Sequence, residues 1–160
     1  MRTRDTLFFV LMLISIQSCS NPNSIKTYEF SNGWKTNELV DFNFKGPQSL
    51  SNQDVFLILR HNKNYAFSNI FLITEIRLEN DSIIADTFEY ALSEKNGKWL
   101  GNKRLSIVEH TLPFKENLKL IKDSTYIVTV RNSMRLNNEI SPIQNLEKVL
   151  DLGLLIESVK

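Results

Sequence analysis

Residues 68–78 read SNIFLITEIRL, and this short stretch decides the fold class. Ile70, Leu72, Ile76 and Leu78 share one parity, so in an extended chain their side chains all point to the same side. Alternation with a period of two is typical of a β-strand with one apolar face and one face in water. The stretch therefore predicts a half-buried strand.

The chain from residue 25 onward repeats this kind of segment. Short runs rich in β-branched and aromatic residues are separated by Asn, Gly, Ser and Asp, which favour turns. Tyr126, Val128 and Val130, for example, again share one parity. We predict strands at 25–31, 38–45, 54–61, 68–78, 83–92, 104–111, 125–132 and 151–159.

The connections between these strands suit antiparallel neighbours. Residues 79–82 (ENDS) predict a hairpin loop, and residues 93–103 (SEKNGKWLGNK) a longer one in which Gly97 and Gly101 are available for positive φ. Only residues 141–150 (SPIQNLEKVL) have helical spacing. The expected fold is an all-β, antiparallel sandwich of immunoglobulin-like or jelly-roll type, with one short helix packed over one end.

The first residues predict an export signal. Arg2 and Arg4 precede an apolar stretch from Leu7 to Ile16, which is about half as long as a membrane-spanning helix. Residues 16–20 read IQSCS, so the only cysteine of the chain follows the apolar run directly. This arrangement resembles the lipobox of bacterial lipoproteins, in which the signal is cut before a cysteine that becomes acylated.

Cys19 is therefore the predicted lipid anchor. A single unpaired thiol is a liability in an oxidising compartment, whereas two or more acyl chains hold a domain at a membrane. The alternative is a free thiol near an ordinary cleavage site, because Ile16 and Gln17 depart from the commonest lipobox residues. The predicted organisation is a signal peptide at 1–18, a lipidated cysteine and tether at 19–24, and a single sandwich domain at 25–160.

Composition limits the compartment and the partners. Removal of residues 1–18 takes away two of the 19 basic and one of the 18 acidic side chains, which leaves 17 of each. A near-neutral domain binds polyanions poorly, so nucleic acid is not an expected partner. Ser20, with no acidic cluster after it, favours the periplasmic face of the outer membrane, and the inner membrane stays open as an alternative.

Few side chains could supply chemistry. Metal binding needs converging ligands, and the chain offers only two histidines besides the cysteine, so no metal or other cofactor is expected. His61 and His110 are predicted to be ordinary surface or edge residues. Asp86 and Glu89 have opposite strand parity, which favours solvated or salt-bridged carboxylates over a catalytic pair. With no Gly-x-Ser-x-Gly motif either, we predict no catalytic residues and a protein that is not an enzyme.

Two tryptophans each have two interpretations. Trp99, in GKWLG, either folds back onto the sheet edge or stays exposed and anchors a partner. Trp34 in NGWKTN presents the same choice. A solvent-facing platform built from Trp34, Tyr65, Tyr90 or Trp99 would suit sugars. An envelope glycan-binding module is therefore the alternative function.

Four phrases, taken together, resemble the GldH family of gliding-motility lipoproteins of Bacteroidetes. They are DVFLILRHNKNYAFSNIFLITEIRL, DTFEYALSEKNGKWLG, YIVTVRNSMRLNNEI and LDLGLLIE, and the likeness runs from about Tyr28 to Glu157. His61 is a departure, because another polar residue is expected there. The more specific marks of the resemblance are Arg60, Asn62, Tyr65, Asn69, Gly97, Trp99, Gly101, Met134, Arg135 and Gly153.

The resemblance implies a cell-envelope lipoprotein that gliding hosts require for motility, linked to the type IX secretion machinery. It implies a non-catalytic structural or interaction component. Its expected partners are the membrane, through the N-terminal lipid, and other motility or secretion lipoproteins and envelope proteins. The candidate interaction or structural residues are Arg60, Asn62, Tyr65, Trp99, Met134 and Arg135.

Two of these positions carry a further expectation. Arg60 has the parity of Phe56 and Ile58 on an apolar strand, so a structural role at the sheet is at least as well supported as a functional one. Met134 and Arg135 follow a predicted strand into a long connection, and such loops often carry contacts. We expect that end of the sandwich to be the binding end.

Overall fold

The structure, a computed structural model, describes residues 25–47, 52–78 and 83–159. Within these ranges the chain forms β-strands and no helix, which confirms the predicted all-β antiparallel sandwich. The predicted signal peptide, Cys19, the tether and the loop at 79–82 lie outside the described residues. The strands are β1 (Lys26–Glu29), β2 (Trp34–Lys35), β3 (Val40–Lys45), β4 (Asn52–Asn62), β5 (Asn69–Arg77), β6 (Ile83–Ala91), β7 (Asn102–Arg104), β8 (Ile107–Lys119), β9 (Thr125–Asn132), β10 (Asn145–Leu146) and β11 (Val149–Ser158).

Two antiparallel sheets face each other across one apolar core. Sheet one has the order β1-β11-β4-β8-β7, and sheet two has the order β3-β9-β5-β6. The two-residue strands β2 and β10 pair with each other outside both sheets. Burial alternates along β5 and β9 as their sequences predict, so Leu72 and Val128 point inward while their neighbours reach the surface.

Aliphatic side chains from both sheets fill the space between them. Each one that leaves water contributes about 1.5–3 kcal/mol to the free energy of folding before entropy is subtracted. Apolar packing therefore supplies the main stabilising term of the sandwich. The largest fully buried apolar side chains are Trp34, Leu57, Leu59, Ile70, Leu72, Ile76, Leu92, Leu120, Leu146, Leu152 and Leu154.

The helix predicted at 141–150 is wrong. Pro142 instead forms an isolated bridge with Arg135, and Lys148 has a φ of 69°, which no α-helix accommodates. The spacing of three arises because Leu146 and Val149 both enter the core from an extended, irregular segment. Pairing of Leu146 with Trp34 across β10 and β2 fixes that segment in place.

The connections at the two ends of the sandwich differ in length. Three long connections, at 30–39, 92–106 and 133–148, and a shorter one at 63–68 meet at one end, which we call the loop end. The turn at 120–124 lies at the opposite end, which we call the short-turn end. The eleven residues of β4 run between the two, a span of about 35 Å at about 3.3 Å per residue.

The direction of β1, the first described strand, shows from which end of the sandwich the chain enters sheet one. β1 is antiparallel to β11, with Lys26 opposite Leu154 and Glu29 opposite Asp151. Since β11 runs from the loop end to the short-turn end, β1 runs the other way and finishes at the loop end. Residue 25 therefore lies on the short-turn side of β1.

The sheet edges are unequal. The edge strands β1, β3 and β7 have four, six and three residues, whereas β6 has nine. On β6 the Asp86 carboxylate accepts a hydrogen bond from the Thr87 N–H at 2.9 Å and pairs with Lys115 at 3.0 Å. Both contacts lower the pKa of Asp86, the one with Lys115 most. The expectation of a salt-bridged Asp86 is confirmed.

Candidate functional site

A cluster of two histidines and two aromatic residues lies where sheet one meets the loop end. His61, at the end of β4, and His110, on β8, stack with ring centroids 5.1 Å apart. Trp99 packs on His61 edge to face at 4.6 Å, and Tyr65 lies 5.0 Å from the same ring. We call these four residues the histidine cluster.

Both histidines are buried, so the prediction of surface or edge histidines is wrong. His61 is 0% exposed and His110 is 4% exposed. Along β4, His61 continues the inward parity of Leu57 and Leu59, so its sequence position already indicated burial. The polar imidazole nevertheless favours a prediction of exposure. A buried ring nitrogen needs a hydrogen-bond partner, and the sequence of one strand does not show which other strand provides it.

Hydrogen bonds fix the tautomer of each ring. The Asn62 carbonyl can only accept, so the His61 Nδ1–H donates to it at 2.8 Å. His61 Nε2 is then the acceptor for His110 Nε2–H, over a distance of 3.0 Å. Burial lowers the pKa of His61, and burial together with the neighbouring ring lowers the pKa of His110 to about 4. Both rings are neutral at pH 7.

Trp99 and Tyr65 cover this pair. The indole N–H of Trp99 donates to the Lys63 carbonyl at 3.2 Å, and an isolated bridge joins Trp99 to Ser93. This confirms that the tryptophan folds back onto the sheet edge, although its ring stays half-buried. Tyr65 is buried, and burial raises the pKa of its hydroxyl.

Asn62 organises the loop above the cluster. Its carbonyl accepts from both His61 and the Tyr65 N–H, and its side-chain oxygen accepts from the Asn64 N–H at 2.9 Å. Its own N–H donates to the Lys148 carbonyl at 2.8 Å. An asparagine that bonds the backbone two residues on is typical of a tight turn. Three candidate residues, Asn62, Tyr65 and Trp99, are thus brought together around His61.

Arg60 lies on the other face of β4, away from the cluster. Its Nε is 3.1 Å from Glu109 Oε2 on β8 and 3.4 Å from Asp151 Oδ1 on β11. The strand register places Glu29 beside Asp151 in the same row. Burial raises the pKa of Asp151 most, the carboxylates of Glu29 and Glu109 raise it further, and Arg60 opposes them. Arg60 thus links the carboxylates of the two strands that flank β4, namely β8 and β11, which is a structural role.

Met134 and Arg135 leave sheet two at the loop end and do not join the histidine cluster. Met134 is buried, and its sulfur accepts a hydrogen bond from the Phe71 N–H at 3.3 Å. Its carbonyl accepts from the Ile143 N–H at 2.9 Å. Arg135 is exposed beside a shallow cleft that Phe71 also lines. Met134 is thus a packing residue, while Arg135 faces solvent.

The two glycines beside Trp99 serve different purposes. Gly97 has a φ of 82°, as predicted for a turn, and nothing lies within 4 Å of a Cβ built on it. Gly101 does not have a positive φ, so that prediction is wrong for it. A Cβ on Gly101 would lie 2.4 Å from the Glu109 carbonyl and 2.9 Å from the His110 ring. Gly101 is required by close packing against β8.

The four aromatic residues that a glycan platform would need do not form one. Trp34 and Tyr65 are buried. Trp99 and Tyr90 are half-buried, and their polar atoms donate to the carbonyls of Lys63 and Pro113. A ligand sugar needs flat, free aromatic faces, whereas these rings pack on protein.

Comparison with known proteins supplies the family. The family model described as GldH lipoprotein matches residues 24–156. The chain is 35% identical over 158 residues to a gliding motility lipoprotein GldH homolog from Christiangramia forsetii, and 29% identical to gliding motility lipoprotein GldH from Flavobacterium johnsoniae. Each alignment covers 98% of both proteins.

Among solved structures, a carbohydrate-binding module specific for non-crystalline cellulose is similar at a TM-score of 0.43 and 8% identity, over 86% of this chain and 78% of that one. A likeness at that level carries no inference about ligands. The match to the family model and the two nearly full-length relatives agree with each other. This protein belongs to the GldH family of gliding-motility lipoproteins, and as a lipoprotein it is lipid-anchored in the cell envelope.

Proposed function

We propose that this protein is a non-catalytic component of the gliding-motility and type IX secretion apparatus. In this proposal Cys19 carries the lipid, the domain sits on the periplasmic face of the outer membrane, and the loop end contacts other envelope proteins. The observation that carries the proposal is the separation of the loop end from the side on which the chain enters.

The polarity of β1 supports that arrangement. Residue 25 lies on the short-turn side, six positions after Cys19 in sequence. A lipid on Cys19 would therefore hold the short-turn side near the membrane. The loop end would face away from the bilayer, up to about 35 Å from it. An anchored protein that binds partners benefits from presenting its long loops in this direction.

The surface of the loop end supports a binding role. Large apolar side chains are exposed in its loops, whereas the candidate residues beneath them are mostly committed to internal contacts. Exposed apolar residues occur at both ends of the sandwich, and at the loop end they belong to the long connections, where they are available to a partner. The exposed apolar side chains in these loops are Leu39, Leu100, Leu105, Leu136 and Ile140.

The contacts of the polar residues support a non-catalytic role. Both ring nitrogens of His61 form hydrogen bonds, and Arg60 is held between carboxylates. A general base needs a free lone pair aimed at a substrate site. These groups serve the fold instead.

Crosslinking in native envelopes tests the proposal. A tagged full-length chain, crosslinked in its host and purified, should recover at least one motility or secretion component. A Cys19→Ala chain should leave the membrane fraction and recover none. Mass spectrometry of the mature N-terminus should find acyl groups on Cys19. Recovery of no such component, or an unmodified Cys19 in the soluble fraction, would overturn the proposal.

A further inference from the structure

Leu105 stands at the tip of the hairpin that joins β7 to β8, in an unfavourable conformation. Its φ is 54°, and its side chain is fully exposed at 103%. Arg104 pairs with Ile107, so only Leu105 and Ser106 form the turn. A two-residue turn with positive φ at its first position normally has glycine there, because a Cβ is strained in that region.

The other positive-φ residues show how unusual this leucine is. Asn117, Asp123 and Asn138 also have positive φ, which short polar side chains tolerate, and Lys148 is the other long side chain in that conformation. Leu105 is the one apolar residue among the five non-glycine residues with positive φ in the described ranges. Because its side chain is fully exposed, Leu105 gains no burial that would offset the strain. Strain that is retained at a surface points to a function at that surface.

The surroundings of Leu105 form a small cleft. Leu105 and Ile107 line it together with the half-buried Trp99 ring, and its volume is about 270 Å³. Lys63 and Lys103 lie at its rim. The Lys63 N–H donates to the Ser106 carbonyl at 2.8 Å, which fastens the neighbouring loop to the hairpin. We call these five side chains the tip patch.

The charge at the tip patch has one sign. Lys63, Lys103 and the adjacent Arg104 are exposed, and in the described part of the chain none of them forms a salt bridge with a carboxylate. The domain as a whole is close to neutral. A local cluster of unpaired cations around an apolar cleft is therefore complementary to an acidic surface with an apolar side chain at its centre.

We propose that the tip patch binds an acidic segment of a partner protein, with an aliphatic or aromatic side chain of that segment inserted against Leu105 and Trp99. The lysines and Arg104 steer and orient the segment, and the leucine and the indole supply the desolvated contact. This inference rests on the proposed function, because it names the chemistry of the partner at the loop end.

Site-specific photocrosslinking in intact cells tests it. A photoreactive amino acid at Ser106 in the lipid-anchored full-length chain should form a crosslink whose peptide, identified by mass spectrometry, has a net negative charge. The matched control position is Ile121, which is exposed at the short-turn end and should not give that product. Crosslinks to lipid alone, or to a net basic segment, would overturn the inference.

Leu105→Asn separates binding from folding. Asparagine relieves the strain at positive φ, so we expect a higher melting temperature than in the parent protein. The crosslink yield should nevertheless fall about tenfold, because a contact residue has been lost. A more stable variant with lower yield cannot be explained by unfolding. Unchanged yield in this variant would overturn the inference.

Charge reversal provides the second readout. The double variant Lys63→Glu/Lys103→Glu should also lower the crosslink yield about tenfold or more. Lys122→Glu, at the short-turn end, is the control and should leave the yield unchanged.

If motility components still co-purify with all these variants at parental levels, the proposed function stands and the tip patch is not the contact. If they do not co-purify even with the parent chain, the proposed function itself fails.

Discussion

The Nε2 atoms of His61 and His110 lie 3.0 Å apart, so one proton bridges two imidazoles inside the loop end. The bond requires that His61 Nε2 carries no proton, because that nitrogen is the acceptor. A proton on His61 Nε2 would break the bond, and a second proton on either ring would place a cation beneath Trp99 and Tyr65. The histidine pair therefore makes the stability of the loop end sensitive to acid.

We expect the free energy of unfolding to fall as pH drops from about 6.5 to about 4. An unfolded histidine binds a proton near pH 6.5, whereas folded His110 binds one only at about pH 4. Between these values the unfolded chain holds more protons, so stability rises with pH and is complete above about 6.5. The loss is on the order of 3 kcal/mol, and urea denaturation across this range measures it.

The control for this prediction is His110→Gln. The Gln side-chain amide can still donate to His61 Nε2, but it cannot take up a proton. Its stability should depend less on pH between about 6.5 and about 4 than that of the parent. Equal slopes for the two proteins would contradict the assignment of the acid sensitivity to this pair.

Arg60→Met should destabilise the fold by about 1–3 kcal/mol. The variant leaves Asp151 and Glu109 facing each other without a cation, and Asp151 is mostly buried. The double variant Arg60→Met/Asp151→Leu should recover part of the loss, because it removes the buried carboxylate that Arg60 neutralises. Urea denaturation of both variants measures the free energy of unfolding. If the effects of the two substitutions simply add, the interaction of Arg60 with Glu109 and Asp151 does not stabilise the fold.

Gly101→Ala should destabilise the protein more than Gly97→Ala. The added methyl group at position 101 meets the backbone of Glu109, which cannot move aside, and we expect a cost of about 2–3 kcal/mol. At position 97 the methyl group meets nothing, so only the cost of positive φ remains, about 1 kcal/mol. Thermal unfolding of the two variants compares them directly, and equal losses would refute the packing role of Gly101.

Met134→Leu should lower the free energy of unfolding by about 1 kcal/mol. The substitution conserves side-chain volume, but the Phe71 N–H loses its sulfur acceptor. Met134→Ala adds a cavity in the core and should cost about 2–5 kcal/mol. Hydrogen exchange of the Phe71 amide gives a specific readout and should accelerate in the leucine variant. Unchanged exchange at Phe71 would show that the sulfur is not a significant acceptor.

Much of the fold is predictable because strand alternation reports burial directly. The strand predicted at 125–132 coincides with β9, and the one at 68–78 contains β5. β8 is the instructive exception: the prediction ended at residue 111, yet the strand continues to Lys119. Pro113 discourages a strand assignment, but it sits opposite Phe56 at an irregularity in the register.

The candidate site was less predictable, because its contacts are long-range. Local sequence placed Trp99 and Tyr65 in loops, but the ring on which they converge comes from β4, and its partner comes from β8. Nor did sequence indicate that Leu105 has positive φ, since leucine is rarely found there. Two-residue strands such as β10 also escape prediction, because they arise from tertiary pairing alone.

The long edge of β6 has a consequence for handling the protein. Lys and Pro, which commonly protect an edge strand, are absent from its nine residues, and the Asp86 carboxylate occupies the Thr87 amide. We expect Asp86→Ala to promote intermolecular strand pairing, seen as concentration-dependent light scattering, while Glu89→Ala does not. In stored samples we therefore expect the Asp86 carboxylate to limit association through this edge.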